Sequence, residues 1–390
     1  MNISRVGSCY GCGVCTLACS KKIIKICRDK DGFYVPYLDD ASKCTDCGLC
    51  ADVCAYIHRD KAVENSPLKS FAAWSKEDAV RHVCSSGGVG FEIGRSMLFK
   101  GFQVLGVRYN VERHRAEHYI ATSAEELLAS IGSKYLQSYT YDAFQILDRK
   151  RKYLVTGTPC QIDSFRRYVR KFRCEDNFVL MDFFCHGVPS GLVWDKYEEY
   201  VERKIGKLEF VAWRNKQRGW HDSWGMVVDS KSHTGQVVNR YDGYNLLIRE
   251  KKGFVNSLWS EGDLFYYMFL GNNCLGKACY DKCKYKYNHS SADIRIGDLW
   301  GDTFSKDEKG VTAAIAFTDK GLETLLQSNC HFQELPFEIV AEGQIKANIK
   351  CHSLPRRLIL YLARHKYVTI SCLSLISRFT NRCERIFCKG

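Results

Sequence analysis

Eight cysteines stand in two matched runs near the start of the chain: Cys9-x2-Cys12-x2-Cys15-x3-Cys19 and Cys44-x2-Cys47-x2-Cys50-x3-Cys54. Thiolates are soft anionic ligands, and this spacing holds cubane iron–sulfur clusters. Short loops let three thiolates of a run cap three corners of one cubane. The fourth lies too far along the chain and reaches the other cluster. The spacing therefore assigns Cys9, Cys12, Cys15 and Cys54 to one 4Fe–4S cluster, and Cys44, Cys47, Cys50 and Cys19 to a second. The competing chemistries are structural zinc and disulfides. Zinc sites pair two Cys-x2-Cys units and do not need four cysteines per run. Two clusters form an electron wire, which implies a donor or acceptor at its far end.

The doubled run resembles the bacterial-type ferredoxins, with one departure. The usual proline after the fourth cysteine is replaced by Ser20 and Ala55. Cys27 falls outside both runs and reads as a spare thiol.

The chain around these runs has 390 residues, 45% of them hydrophobic and 13% aromatic, which is enough for two or three domains with sizeable cores. It carries 21 cysteines and no secretory signal pattern, so reduced, metal-ligating thiols in the cytoplasm are expected. No stretch of 18 or more apolar residues predicts a membrane-spanning helix. The formal charge of +13 is uneven. Residues 341–390 hold ten Lys/Arg against Glu342 and Glu384, a net of +8. Such a tail fits an acidic partner or a peripheral contact with an anionic membrane, the bland alternative being a solvated helical face. No nucleic-acid motif is present, so no nucleic-acid partner is expected.

The elements that must position the chemistry follow from the pattern. Residues 58–69, with Pro67, read as a linker. From Phe71 strands and helices alternate. A helix is predicted over Val89–Phe99 after Gly87-Gly88, and a strand over Phe102–Tyr109. Ser123 caps a helix through Ile131, with Glu125 and Glu126 in its first turn. Strands are predicted at Tyr153–Thr156, Phe178–Phe184, Ile294–Ile296 and Ala313–Phe317. Helices are predicted at Gln161–Lys171, Leu192–Ile205 and Gly321–Gln327, and a strand-rich meander over 208–241. The tail from Arg356 reads as helical, with an apolar run at Tyr367–Ile376. The fold class is α+β or α/β around a mixed sheet. Its domains are a ferredoxin-like two-cluster domain (1–60), a mixed-sheet flavin and iron–sulfur domain (71–340) and a basic helical tail (341–390).

A second constellation lies in the large domain. Cys160 and Cys185 each follow a predicted strand, where α/β proteins place ligands. Cys279 and Cys283 form a short pair, with Cys274 close by in sequence. Singly, each is more often a buried small hydrophobe than a ligand. Together they point to a third cluster.

Five segments resemble the coenzyme F-420 hydrogenase/dehydrogenase beta-subunit family: Ser85-Ser86-Gly87-Gly88, Gly132-Ser133-Lys134-Tyr135, Thr156-Gly157-Thr158-Pro159-Cys160-Gln161, Phe184-Cys185-His186-Gly187-Val188-Pro189-Ser190, and Ala292 to Gly301. The resemblance covers about residues 71–330. It implies a flavoprotein with FAD and a 4Fe–4S cluster held by Cys160, Cys185, Cys279 and Cys283. The last pair is one residue longer than the family's Cys-x2-Cys, which leaves Cys274 as an alternative to Cys279. For the flavin, the resemblance and the loop chemistry point to Ser86, Gly87, Gly88, Gly132, Ser133, Lys134, Tyr135 and Asp298. A double glycine before a helix lets amides approach a pyrophosphate. Lys134 has the alternative of a surface charge, and Asp298, which lies beside Trp300, has that of a turn cap.

The function expected is that of a cytoplasmic FAD- and iron–sulfur-dependent oxidoreductase. It would pass electrons between an organic hydride donor or acceptor at FAD and the clusters, in an anaerobic redox or glycan-biosynthesis pathway. The hydride partner would be a deazaflavin or nicotinamide, and the protein partner a ferredoxin or other redox protein. The alternatives are a non-catalytic electron-transfer subunit docking on a separate reductase or transferase, and a scaffold with relict clusters. No residue is singled out as catalytic.

Overall fold

The computed structural model of the chain describes residues 2, 3, 6, 9–216, 219–221, 223, 227–229, 263–351 and 353–387. The cysteine runs fold into two similar halves. Helix α1 (Val14–Ala18) and helix α2 (Leu49–Asp52) each start after a left-handed glycine, Gly13 (φ 76°) and Gly48 (φ 77°). Only glycine enters that region without steric cost. Each glycine follows the second cysteine of its run. At Gly13 space demands it as well, because a Cβ there would lie 2.0 Å from Thr140 Oγ1. Between the halves, β1 (Ile24–Arg28) and β2 (Tyr34–Leu38) form an antiparallel hairpin.

The rest of the chain builds one eight-stranded mixed sheet. Its strands are β3 (Lys69–Ser75), β4 (Gln103–Asn110), β5 (Arg115–Ala121), β6 (Tyr153–Thr156), β7 (Phe178–Phe183), β10 (Ile294–Asp298), β11 (Thr312–Ala316) and β12 (Cys330–Glu334), in the order β12-β3-β11-β10-β7-β6-β4-β5. The four strands β4, β6, β7 and β10 run parallel, and the flanking pairs are antiparallel. The separate pair β8 (Phe210–Ala212) and β9 (Val227–Asp229) is the described part of the 208–241 meander, and the remainder lies outside the described residues. Central strands are short apolar runs because both faces are covered, as all of β11 and most of β6 are.

Helix α3 (Asp78–Val83) follows β3, and α4 (Val89–Phe99) has the predicted bounds. Ser123 does cap α5 (Ala124–Leu127), its Oγ accepting from Glu126 N–H, but the helix tightens to 3-10 geometry over Leu128–Ser130. After α6 (Tyr141–Gln145) comes α7 (Pro159–Lys171), with proline at its first position. The Thr158 N–H donates to Gln161 Oε1 at 2.9 Å, closing the start of that helix. Ser190 caps α8 (Gly191–Ile205). The remaining helices are α9 (Leu264–Leu270), α10 (Lys277–Asp281), α11 (Asp319–Leu326), α12 (Phe337–Val340), α13 (Ser353–Ala363) and α14 (Ile370–Phe387).

Strand β5 was not legible as a strand because Arg115, Glu117 and His118 interrupt its alternation. The structure makes Glu117 tolerable in a buried position by pairing it with Arg108 and Arg115 at 3.0 and 2.9 Å. The C-terminal tail also differs from the expected appendage. Ile359, Leu360, Ala363, Ile370 and Leu373 are buried in one cluster with Trp194, Tyr197, Phe265 and Phe269. Arg356 Nε donates to Leu275 O at 2.7 Å, and Asn273 Nδ2 to Ser377 Oγ at 2.8 Å. Helices α13 and α14 are thus built into the same core as α8 and α9. No described helix is long and apolar enough to cross a membrane.

Candidate redox site

The four thiols grouped by spacing meet around one cavity. Cys9, Cys12, Cys15 and Cys54 line it together with Tyr10, Pro36 and Tyr56. Burial, with a neighbouring thiol, pushes the Cys9 pKa up to about 12, and burial pushes that of Cys12 to about 11. Cys15 is raised well above the ordinary thiol value, by burial first and by the other three thiols of the set after it. Four such thiolates could share this cavity only beside a strong positive charge. Among the described residues no three His, Cys, Asp or Glu side chains are arranged to hold a single metal ion. Four thiols lining one cavity fit the donor set that a multi-iron group would need.

The second set is less enclosed. Cys50 is buried in a small cluster with Cys15 and Cys54, and Cys19 and Cys44 pack against it. Cys47 is exposed, as is Cys27. Asn2 Nδ2 donates to Cys44 Sγ at 3.6 Å.

The large-domain cysteines come from the carboxyl edge of the parallel strands. Cys160 sits in the first turn of α7, just beyond β6, with Thr158 Oγ1 3.2 Å from its sulfur. Cys185 follows β7. Cys279 lies on α10, and Cys283 just after it. The four are close enough to perturb one another. Cys160 is raised by burial and further by Cys185 and Cys279; Cys185 is pushed to about 12 by burial, with Cys279 and Cys283 adding to the rise. Cys274 is elsewhere: it is wholly buried in the α8–α9 core, where its sulfur donates to Met268 O at 3.6 Å. The longer Cys-x3-Cys spacing is accommodated by the short helix α10, and Cys279 faces the set.

The loops proposed for the flavin converge on the same edge of the sheet. Ser133 N–H donates to Ser85 Oγ at 2.9 Å, joining the two small-residue loops. Gly88, at φ 87°, starts α4. Gly87 has a different reason to be glycine than phosphate approach: a Cβ would meet Ala73 O at 2.4 Å, and its N–H already donates to Thr312 Oγ1. Ser86 Oγ donates to Val311 O at 2.7 Å. Lys134 is not a solvated surface charge. Its ammonium donates to the carbonyls of Ile131 and Gly132 at 2.7 and 3.1 Å, and burial pulls its pKa down to about 7. Tyr135 stacks on Phe269 at 5.3 Å between ring centres. Asp298 accepts from Trp220 Nε1 at 2.9 Å and pairs with Arg214 at 3.1 Å.

Three residues of this region escaped the sequence reading: Arg214, Lys216 and Trp220. Lys216 is buried and donates to the carbonyls of Arg81, Ser86 and Lys309, and burial brings its pKa down to about 7. Trp220 stacks on Trp300 at 4.9 Å and 10°. The sequence signal for Arg214 and Lys216 was the cluster Trp213-Arg214-Asn215-Lys216, near the start of a segment read as meander, and Trp220 lies inside that segment.

Comparison with known proteins decides the family. Residues 70–144 match the profile of the coenzyme F420 hydrogenase/dehydrogenase beta subunit N-terminal part, and residues 150–331 that of its C terminus. The chain belongs to the coenzyme F420 hydrogenase/dehydrogenase beta-subunit family. Its members form an oxidoreductase subunit, and the resemblance seen in the motifs is thereby a membership. The F420 hydrogenase beta-subunit profiles end before the tail and begin after the cysteine runs. Among solved structures the chain is similar to a chain of the F420-reducing NiFe hydrogenase complex from Methanosarcina barkeri, with 14% identity, covering 85% of this chain and 96% of that one, at a TM-score of 0.43. Among curated proteins none matches.

Proposed function

We propose that this F420 hydrogenase/dehydrogenase beta-subunit family member is an iron–sulfur flavoprotein oxidoreductase with three 4Fe–4S clusters and FAD. Its region 1–60 is a ferredoxin-like input or output, 71–340 the flavin domain, and 341–390 the basic helical part. One observation carries the reading: Cys160 lies close to Cys185, Cys279 and Cys12, and His186, the residue after Cys185, packs on Phe269, on which Tyr135 of the Gly132–Tyr135 loop stacks. A bound FAD exchanges a hydride with an organic partner and single electrons with clusters. The chain's own residues do the rest. Lys134 and Lys216 are cations met only by backbone carbonyls among their described hydrogen bonds, which suits an anionic dinucleotide. Gly88, Ser86, Ser133 and Gly132 shape the loop, Tyr135 and the Trp220–Trp300 stack offer aromatic faces, and Asp298 fixes Arg214 and Trp220. The hydride partner we favour is a deazaflavin or nicotinamide, and the compartment a reducing cytoplasm, where thiols stay available for iron. Anaerobic purification, iron analysis and mass identification of the extracted cofactor test this. Folded protein that takes up neither iron nor flavin overturns it.

The tail contributes a partner surface. Leu354 (67% exposed), Tyr361 (54%), Leu375 (69%) and Phe379 (70%) stand out from α13 and α14, in a segment of net charge +8. Apolar and basic side chains on one helical pair suit a peripheral contact with an anionic membrane.

A further inference from the structure

Ser164 joins the two thiol sets. It lies on α7 one turn after Cys160, so both side chains leave the same face of the helix. Its side chain is wholly buried. Its Oγ is 3.4 Å from Cys12 Sγ and accepts the N–H of Ala55, the residue after Cys54, at 3.1 Å. One hydroxyl on the helix of Cys160 therefore touches both segments that supply the set of Cys9, Cys12, Cys15 and Cys54. A second bridge runs beside it. Tyr10, which lines that cavity, donates through its hydroxyl to the carbonyl of Lys282, next to Cys283, and packs edge-on against Tyr56 and Tyr285. The segment of Cys50 is also tied to α7, through the Lys171–Asp52 ion pair at 2.6 Å, but that pair is made by an ammonium and a carboxylate and, among the described contacts, meets no thiol of the set of Cys19, Cys44, Cys47 and Cys50.

We propose that Ser164 is a potential-setting positioning residue that makes the Cys12-containing set, and not the Cys47-containing one, the partner of the Cys160 set in electron transfer. The inference rests on the iron–sulfur reading above. In a thiol, Cys12 donates to Ser164 Oγ. As a thiolate ligand it would have no proton, so the serine hydroxyl would donate to sulfur while its oxygen could go on accepting from Ala55. A hydrogen bond to a ligand sulfur favours the more negative, reduced form and raises the reduction potential. With clusters bound by both sets, the Cys160 set would hold the one-electron donor and the Cys12 set the one-electron acceptor, one being oxidised by one electron as the other is reduced by one. No proton moves and no bond changes.

The test uses the full chain, reconstituted with iron and sulfide under anaerobic conditions. Iron content and a redox titration followed by electron paramagnetic resonance are read for the unmodified protein, Ser164→Ala and Ser164→Thr. Ser164→Ala is expected to keep about twelve iron, four per cubane, and to show one cluster shifted to lower potential. That cluster must survive Cys44→Ser, which marks the other set. Ser164→Thr keeps the hydroxyl and is expected to titrate like the unmodified protein. Should the alanine variant lose iron, the threonine variant decides: full iron at the unmodified potential supports the proposal, and full iron at a lowered potential overturns it. A fully loaded alanine variant with unmoved potentials, or a shift on the cluster that Cys44→Ser removes, also overturns it. Unmodified protein that takes up no iron overturns the redox reading itself, and the proposal with it.

Discussion

Asp182 and Arg295 face each other across β7 and β10 in a two-pronged ion pair, Nε to Oδ1 and Nη2 to Oδ2 both at 2.7 Å, with neither side chain exposed. Ser290 donates to the same carboxylate at 2.7 Å, and Arg295 also donates to the carbonyls of Tyr285, Tyr287 and His289. The pair holds the loop after Cys283 against the strand that leads to Cys185. Burial pushes the Asp182 carboxyl above its ordinary range in spite of Arg295. Removing one partner leaves the other charge buried and alone, at a cost of about 3–5 kcal/mol. Arg295→Ala is expected to lower the unfolding free energy read from chemical denaturation by that much and to loosen the Cys185 and Cys283 loops. A loss within about 0.5 kcal/mol, typical of surface changes, contradicts this positioning role.

Iron analysis on anaerobically prepared protein should return about twelve iron per chain. Cys160→Ser is expected to lower this to about eight and leave the ferredoxin-like pair in place. Unchanged iron in that variant removes the case for the third site. Cys274→Ser, by contrast, should keep the full complement, because Cys274 is packed in the core away from the set.

Dinucleotide binding should depend on pH through Lys216 and Lys134. Both have a pKa near 7, brought down by burial. A bound anion favours their charged forms, so binding takes up protons and weakens as pH rises above about 7. Calorimetric titration with FAD in two buffers of different ionisation enthalpy reads that uptake directly. Lys216→Met should bind FAD more weakly and keep only the part of the pH dependence that Lys134 contributes. A pH-independent affinity, or release of protons, rules out the lysines as the anion's partners.

Acid should destabilise the fold through His118. The ring is buried, one nitrogen meets Thr156 O at 3.1 Å, and burial depresses its pKa to about 4. The unfolded chain, near 6.5, binds the proton first. Stability present above about pH 6.5 is therefore lost as pH falls towards 4, by roughly 3 kcal/mol in total. His118→Phe should flatten the denaturation midpoint over that window. An equally steep slope in the variant assigns the loss to other groups.

Ending the chain near Glu342 should unfold or aggregate the large domain, since it strips α13 and α14 from the cluster around Trp194 and Phe265. The doubly substituted Leu375→Glu, Phe379→Glu protein changes only exposed positions and should stay folded. It is expected to lose sedimentation with vesicles containing anionic phosphatidylglycerol, while the unmodified protein binds them in a salt-dependent way. Equal binding of both to such vesicles excludes the tail as a membrane contact.

Motif order was enough to point to the family, and cysteine spacing to expect Cys9, Cys12, Cys15 and Cys54 around one cavity, because a cysteine run and a strand–loop–helix turn are local features. The helix at Val89–Phe99 and the strand at Tyr153–Thr156 were legible for the same reason: their apolar periodicity and caps lie within one stretch of chain. What was decided only in three dimensions depends on partners far apart in sequence. Glu117 sits in a strand because Arg108 and Arg115 neutralise it. Cys279 lies close to Cys160 while Cys274, five residues earlier, is wholly buried in the α8–α9 core, a difference that depends on how α10 packs. Lys216 reaches the Ser86 loop from 130 residues away, and Ser164 reaches Cys12 across 152. The basic tail shows the limit most clearly. Its charge is a property of composition, but whether its apolar residues face water or a core is settled by the surface waiting for them on α8 and α9.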